Sequence, residues 1–226
     1  MVVAIVLAGG NGSRVQAEIP KQFIEVNKKP ILGYTLEILE QSDEIDSIIV
    51  VSIDGWEDHV KEIAKQYSIT KLKKVCVGST TGLKSLYEGI KACNFCNEKD
   101  LILIHDAVRP FVDLETIHDN VQVAAKNGMA VACVDCHEDL VFTNDGVFSN
   151  KLVHRNGLKR VLTPQTYQYS IIKNLLESTN LDEATAPSSF ALYMEKGGEV
   201  FCSKSNSRNI KLTYPSDIDY FRQLFT

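Results

Sequence analysis

The seven residues after Met1, VVAIVLA, run directly into Gly9-Gly10-Asn11-Gly12-Ser13-Arg14, and Lys21 follows Pro20. Glycines let a backbone approach an anion closely and turn successive N–H groups toward it. Arg14 and Lys21 add the positive charge that would hold it. The chemistry this suggests is phosphate binding, although the same residues also suit a plain glycine turn with two surface cations. Two familiar phosphate loops are excluded. Val15 stands where G-x-G-x-x-G needs its third glycine, and no Gly-Lys-Ser/Thr follows.

Three further stretches carry reactive side chains. LILIHDAVRPFV delivers Asp106 and then Arg109 from an apolar run. An aspartate beside phosphates holds magnesium, while in another context it caps a helix. Arg155-Asn156-Gly157-Leu158 precedes Leu162-Thr163-Pro164-Gln165, and Asn209-Ile210-Lys211-Leu212-Thr213 precedes the last helical pattern. Taken singly, Lys211 reads as a solvated lysine.

The elements that would position these residues alternate. VVAIVLA, SIIVVSI, KKVCVG, LILIHDA and MAVACVD are short, apolar and β-branched, as strands covered on both faces should be. Between them PILGYTLEILEQS, WEDHVKEIAKQYS, LKSLYEGIKACN and LETIHDNVQVAAKNG show helical spacing. The rhythm predicts an α/β fold: a mostly parallel, Rossmann-like twisted sheet with helices on both faces, in one domain over 1–226. In such sheets ligands bind beyond the carboxyl ends of the strands, where the glycine loop and Asp106 both fall. One segment breaks the rhythm. Around 137–154, DLVFT and VFSNKLV flank Asn144-Asp145-Gly146, which predicts a protruding β-hairpin arm. Isolated hairpins are marginal, so a second subunit is the expected support. YQYSIIKNLLES, SSFALYMEKG and PSDIDYFRQLF read as later helices and EVFCS as a strand.

Lys plus Arg number 24 against 29 Asp plus Glu, a net charge of −5, which argues against nucleic-acid binding. No apolar run approaches bilayer length and no signal peptide is evident, so no membrane partner and a cytoplasmic location are expected. Two of the six cysteines make Cys93-x-x-Cys96 and two more make Cys133-x-x-Cys136. The first pair closes a helix and the second lies on a strand, a poor geometry for shared chelation, so all read as reduced structural thiols.

In order, LAGGNGSR, IPKQF, the glycine-led segment ending in Ser85, HDAVRPFV, RNGL with LTPQ, and NIKLT before PSD cover nearly the whole chain. Together they resemble the cytidylyltransferases that make 4-diphosphocytidyl-2-C-methylerythritol or CDP-ribitol. The resemblance implies transfer of CMP from CTP to a small sugar-alcohol phosphate, with Mg²⁺ and release of pyrophosphate. It implies that Arg14 and Lys21 grip the phosphates and that Ala8, Gly9, Gly10 and Gly12 cradle the nucleotide through their backbones. Ser79, Thr80, Ser85 and Ala107 would complete the nucleotide site, Ser85 reading the cytosine edge. Asp106 would bind Mg²⁺ and Lys211 would bridge the reacting phosphates. Arg109 and Arg155 would hold the acceptor phosphate, with Arg155 arriving from the partner's arm of a homodimer.

Several positions depart from the family pattern. Gly82 replaces an arginine three residues before Ser85, and Glu138-Asp139-Leu140-Val141 replaces Asp-Thr-x-Lys at the start of the arm. Pro187-Ser188-Ser189-Phe190 stands for Thr-Asp-Asp/Glu-Ala, and Leu162 for a glutamine. The nucleotide half is retained while the acceptor half has drifted, so either methylerythritol or ribitol phosphate suits. Two other readings are a non-catalytic nucleotide-binding homologue and a transferase using another nucleotide and sugar phosphate.

Overall fold

The computed structural model describes residues 1–10 and 19–224. β1 (Val2–Ala8) precedes a 3-10 turn at Lys21–Phe23, the paired short strands β2 (Glu25–Val26) and β3 (Lys29–Pro30), and α1 (Ile31–Gln41). β4 (Ser47–Ser52), α2 (Glu57–Gln66), β5 (Leu72–Val77), α3 (Gly82–Ala92), β6 (Leu101–Asp106), α4 (Leu114–Asn127) and β7 (Met129–Asp135) follow. The arm is β8 (Leu140–Phe142) and β9 (Lys151–Val153). The chain ends with β10 (Lys159–Gln168), α5 (Tyr169–Glu177), α6 (Ser189–Glu195), β11 (Cys202–Lys204) and α7 (Pro215–Gln223).

Seven strands form one sheet in the order β11-β7-β10-β6-β1-β4-β5. All pairings are parallel except those of β10, which runs antiparallel between β6 and β7. The residues of β1 show why the sheet is covered on both faces. Val2, Ala4, Val6 and Ala8 enter one core with Leu32 and Leu36 of α1, Val60 of α2 and Ile117 of α4. Val3 and Ile5 enter the other with Leu83 and Leu86 of α3, Ile172 of α5 and Leu192 of α6. α3 lies so close that a methyl on Gly89 would come within 2.9 Å of Ile5 and 3.0 Å of Val51. From β1 the chain moves outward through β4 and β5, then returns to β6 on the other side of β1. The crevice beyond the carboxyl ends of β1 and β6 is therefore a topological switch point, where open α/β sheets bind ligands.

Two expectations need correction, and one strand was not expected at all. The KKVCVG strand forms as β5 but is not covered on both faces: it is the sheet's edge, and its residues are at best half-buried. LTPQ, for which the sequence predicts no element, lies in β10, a central strand masked by Pro164, which a ladder interior normally rejects. The register shift between Val161 and Gln165 accommodates it. The arm pairs only Leu140–Phe142 with Lys151–Val153, and the expected strand residues Val147–Ser149 are loop. There the Asp145 Oδ1 accepts the N–H groups of Val147 and Phe148, both at 2.9 Å, and the Thr143 hydroxyl accepts that of Gly146 at 3.0 Å. Side chains have captured the donors a longer ladder would use.

Candidate active site

The crevice opens into a cleft of about 450 Å³. Its β1 side is Leu7 to Gly10, its β6 side Asp106 to Val108, and the turn before α3, residues 79–82, closes a third side. Lys21 and Lys211 also line it. Distant parts of the chain are pulled here by backbone pairing: Leu7 lies in register with Asp106 across the β1–β6 ladder. Lys211 is brought in by its neighbour Leu212, whose N–H bonds the Val108 carbonyl at 2.9 Å. Leu212 is buried with Val26, Ile31, Ile218 and Phe221 in a small third core under α7.

Each wall has its own reason for holding shape. Gln22 Nε2 donates to the Ala8 carbonyl at 2.5 Å and so pins the end of β1 to the turn that carries Lys21. Lys21 is nearly buried and donates to the Leu212 carbonyl at 3.1 Å. On the third side, the Ser85 hydroxyl accepts from the Ser79 N–H at 2.9 Å and donates to the Ser79 carbonyl at 3.1 Å, which ties residues 79–85 into a ring. A hydroxyl has one proton and two lone pairs, so one lone pair of Ser85 remains for a ligand donor. Thr81 caps α3 by accepting the Lys84 N–H at 3.2 Å. Gly82 opens that helix, and an added Cβ there would meet nothing within 4 Å.

Asp106 is the electrostatic centre. Arg109 Nε is 2.8 Å from its Oδ2 and Lys211 Nζ 3.0 Å from its Oδ1. Burial pushes its carboxyl up, but the opposing Lys211 and Arg109 charges win and hold it down to about 2. The helix-capping alternative belongs to a different residue of the same stretch: Asp113 accepts the Thr116 N–H at 2.8 Å to start α4. Arg109 reaches inward as well, donating to the Asn209 carbonyl at 2.8 Å. Behind Asp106 a second cavity of about 290 Å³ contains Arg109, Thr163, Gln165, Ser188 and Phe190, and it shares Leu7, Gly82, Asp106 and Lys211 with the cleft.

The structure thus brings together Ala8, Gly9, Gly10, Lys21, Ser79, Thr80, Ser85, Asp106, Ala107 and Lys211, with Arg109 one layer behind. Arg155 lines neither cavity; it stands at the base of the arm and donates to the His137 carbonyl at 2.9 Å. Arg14 and Gly12 lie outside the described residues. No group of three or more metal-ligating side chains occurs among the described residues. A lone carboxylate suits Mg²⁺, which takes one or two carboxylates together with substrate phosphates. The Asp106 oxygens offer about four lone pairs, of which Arg109 and Lys211 use two.

Gln22, His105, Thr163 and Asn209 were not assigned as site residues from sequence, yet they shape it. Each lies within a motif that carries the family resemblance (IPKQF, HDAVRPFV, LTPQ and NIKLT), and each is a polar side chain that the fold buries.

A glycine turn, two lysines and an anchored aspartate at the switch point of an α/β sheet define the nucleotidyltransferase class. The sequence pattern of the 2-C-methyl-D-erythritol 4-phosphate cytidylyltransferases (IspD) matches residues 2–224, and the chain belongs to that family. A ribitol-5-phosphate cytidylyltransferase of Lacticaseibacillus paracasei is 34% identical over 98% of this chain and 97% of its own. A 2-C-methyl-D-erythritol 4-phosphate cytidylyltransferase of Clostridium acetobutylicum is 32% identical over 96% and 94%. Among solved structures, the 4-diphosphocytidyl-2C-methyl-D-erythritol synthase of Anaerococcus prevotii superposes with a TM-score of 0.85 at 26% identity, covering all of this chain and 96% of that one. Among the described residues no helix is long and apolar enough to cross a membrane.

Proposed function

We propose that this cleft transfers CMP from CTP to a small sugar-alcohol phosphate of the methylerythritol 4-phosphate or ribitol 5-phosphate type. The observation that carries the reading is Asp106, clamped by Lys211 and Arg109, in the same cleft as the Gly9–Gly10 turn and Lys21. An acceptor phosphate oxygen attacks the α-phosphorus in line; the bond to the β-phosphate oxygen breaks and pyrophosphate leaves. Such chemistry needs alignment and neutralisation of charge rather than a covalent intermediate. Lys21 and Lys211 supply charge at the reacting phosphates, and Arg14 adds to it. Ser85 offers its free lone pair to the cytosine amino group, and the backbone of residues 8–10 and 79–80 encloses the nucleotide. Asp106 is the residue that would hold Mg²⁺, which screens the phosphate charges when bound.

The acceptor half is completed by a second copy of the chain. Val141, Phe142, Val147, Phe148 and Leu152 all expose large apolar surface on the arm, Val147 at 91%. Arms that present this much apolar area are interaction surfaces. Arg155 sits on the same arm, outside its own chain's cleft, so it acts in the partner's site. Free thiols throughout and the use of CTP agree with a cytoplasmic setting.

The test is pyrophosphate release with CTP and Mg²⁺ across methylerythritol 4-phosphate, ribitol 5-phosphate and other small polyol phosphates. Release with one acceptor names the substrate. Lys21→Ala should lose turnover by about a hundredfold or more while keeping the wild-type circular dichroism. Wild-type turnover in that variant, or silence of the wild type across the panel, would overturn the reading.

A further inference from the structure

The Asp106 carboxylate is held by Arg109 and Lys211, while its backbone N–H is held by Thr163, which His105 orients in turn. His105 is fully buried, with Nε2 3.2 Å from the Arg109 carbonyl oxygen. A carbonyl only accepts, so Nε2 carries the hydrogen and Nδ1 keeps a lone pair. The Thr163 hydroxyl lies 3.0 Å from Nδ1 and must donate to it. With its proton so committed, the Thr163 oxygen accepts the Asp106 N–H at 3.2 Å. The Thr163 carbonyl in turn accepts from Asn209 Nδ2 at 2.8 Å, and the Asn209 carbonyl accepts from Arg109 Nη1 at 2.8 Å. The ring closes where Arg109 returns to the Asp106 carboxylate at 2.8 Å. Three segments that are distant in sequence, the end of β6, the middle of β10 and the loop after β11, are locked around one aspartate.

We propose that His105 is a positioning residue of the transfer reaction. Through its Nδ1 lone pair it turns the Thr163 hydroxyl oxygen toward the Asp106 N–H, and so sets where Asp106 stands in the cleft and Arg109 behind it. The kinetic part of this rests on the cytidylyl-transfer reading above; the hydrogen-bond part does not. The direction of each bond matters. Without an acceptor at Nδ1 the Thr163 proton loses its buried partner, and nothing then holds the hydroxyl with its lone pair on the Asp106 N–H.

Three substitutions separate the links. Thr163→Val keeps the shape and removes the hydroxyl. His105→Asn can present an oxygen near the Nδ1 position, whereas His105→Gln retains a donor near Nε2 and leaves Thr163 without its acceptor. Amide hydrogen exchange in the substrate-free protein reads the relay directly. The Asp106 amide should exchange about tenfold faster in Thr163→Val and His105→Gln, with Leu103 and Ile104 within about twofold of wild type. His105→Asn should retain slow Asp106 exchange. In turnover, Thr163→Val and His105→Gln should each lower kcat about tenfold with the CTP KM within about threefold, and the double variant should be no slower than the slower single. Unchanged Asp106 exchange in Thr163→Val, equal behaviour of His105→Asn and His105→Gln, or multiplying losses in the double variant would overturn the proposal. Absence of pyrophosphate release by the wild type would overturn the functional reading and with it the kinetic role, while the exchange measurement still decides the relay.

Discussion

Lys211 Nζ stands 3.0 Å from Asp106 Oδ1 across a sequence separation of 105 residues, and Arg109 approaches the other oxygen from three residues away. One carboxylate therefore organises two cations of different mobility. Arg109 is almost buried and bonded to backbone as well, whereas the Lys211 side chain is 41% exposed. A ligand phosphate entering the cleft competes with Asp106 for Lys211 far more readily than for Arg109.

Asp106→Asn removes the charge while keeping the shape. Turnover should fall about a hundredfold, because the site loses both the carboxylate proposed to hold Mg²⁺ and the anchor of two cations. Stability should fall by about 2 kcal/mol, since Arg109 is left nearly buried without its counter-charge. Urea unfolding and a pyrophosphate assay on the same preparation check both figures.

His105 gives the fold a pH dependence whose sign follows from its burial. Burial pushes its pKa down from 6.5 to about 4, against the opposing pull of Asp106. Between those values the unfolded chain binds a proton that the native chain does not, so stability rises with pH. The contribution is whole above about pH 6.5 and is lost as pH falls toward 4, amounting to about 2–3 kcal/mol by pH 4.5. Asp106, held at about 2, titrates below that window. Urea midpoints measured from pH 7 to 4.5 should show the slope in the wild type and a flatter one in His105→Asn.

Val147→Ser combined with Phe148→Ser strips two of the most exposed apolar side chains from the arm. If the proposed dimer forms through the arm, sedimentation should show it weakened about tenfold or more, with CTP affinity unchanged and turnover reduced by withdrawal of the proposed Arg155 contribution. A variant that sediments as the wild type does at every concentration would remove the arm from the interface.

Gly82→Arg restores a cation where the cleft meets the second cavity. The Cβ meets nothing within 4 Å, so the helix can accept it. The KM for CTP should fall about threefold to tenfold through a charge-assisted phosphate contact, with kcat little changed. A slightly lower melting temperature is expected from a cation at a helix N-terminus.

How much of this was legible beforehand depended on which physical rule governed each segment. β4, β6 and β7 were readable because continuous apolar runs of this length belong to strands buried on both faces, and all three are central. β10 was hidden because Pro164 contradicts a central strand, and only the register shift at Val161 reconciles the two. The glycine turn, Lys21 and Asp106 were readable as a phosphate-binding set because their chemistry and place near strand ends agree, whereas Ser85 came in only through the family resemblance. The His105–Thr163–Asn209 ring was not readable. Its members join three segments, and nothing in local spacing says which buried polar groups will meet. The arm was recognised from Asn144-Asp145-Gly146, but the capture of backbone donors by the Asp145 side chain shortened its strands.

The small core beneath α7 has a consequence beyond packing. Leu212 is at once the residue after Lys211, the carbonyl that accepts from Lys21, and a buried partner of Ile218 and Phe221. Whatever steadies the two lysines in the cleft therefore steadies the last helix as well. The tail of the chain is a built-in gauge of occupancy: limited proteolysis within 215–223 should slow when nucleotide fills a cleft that those residues never line.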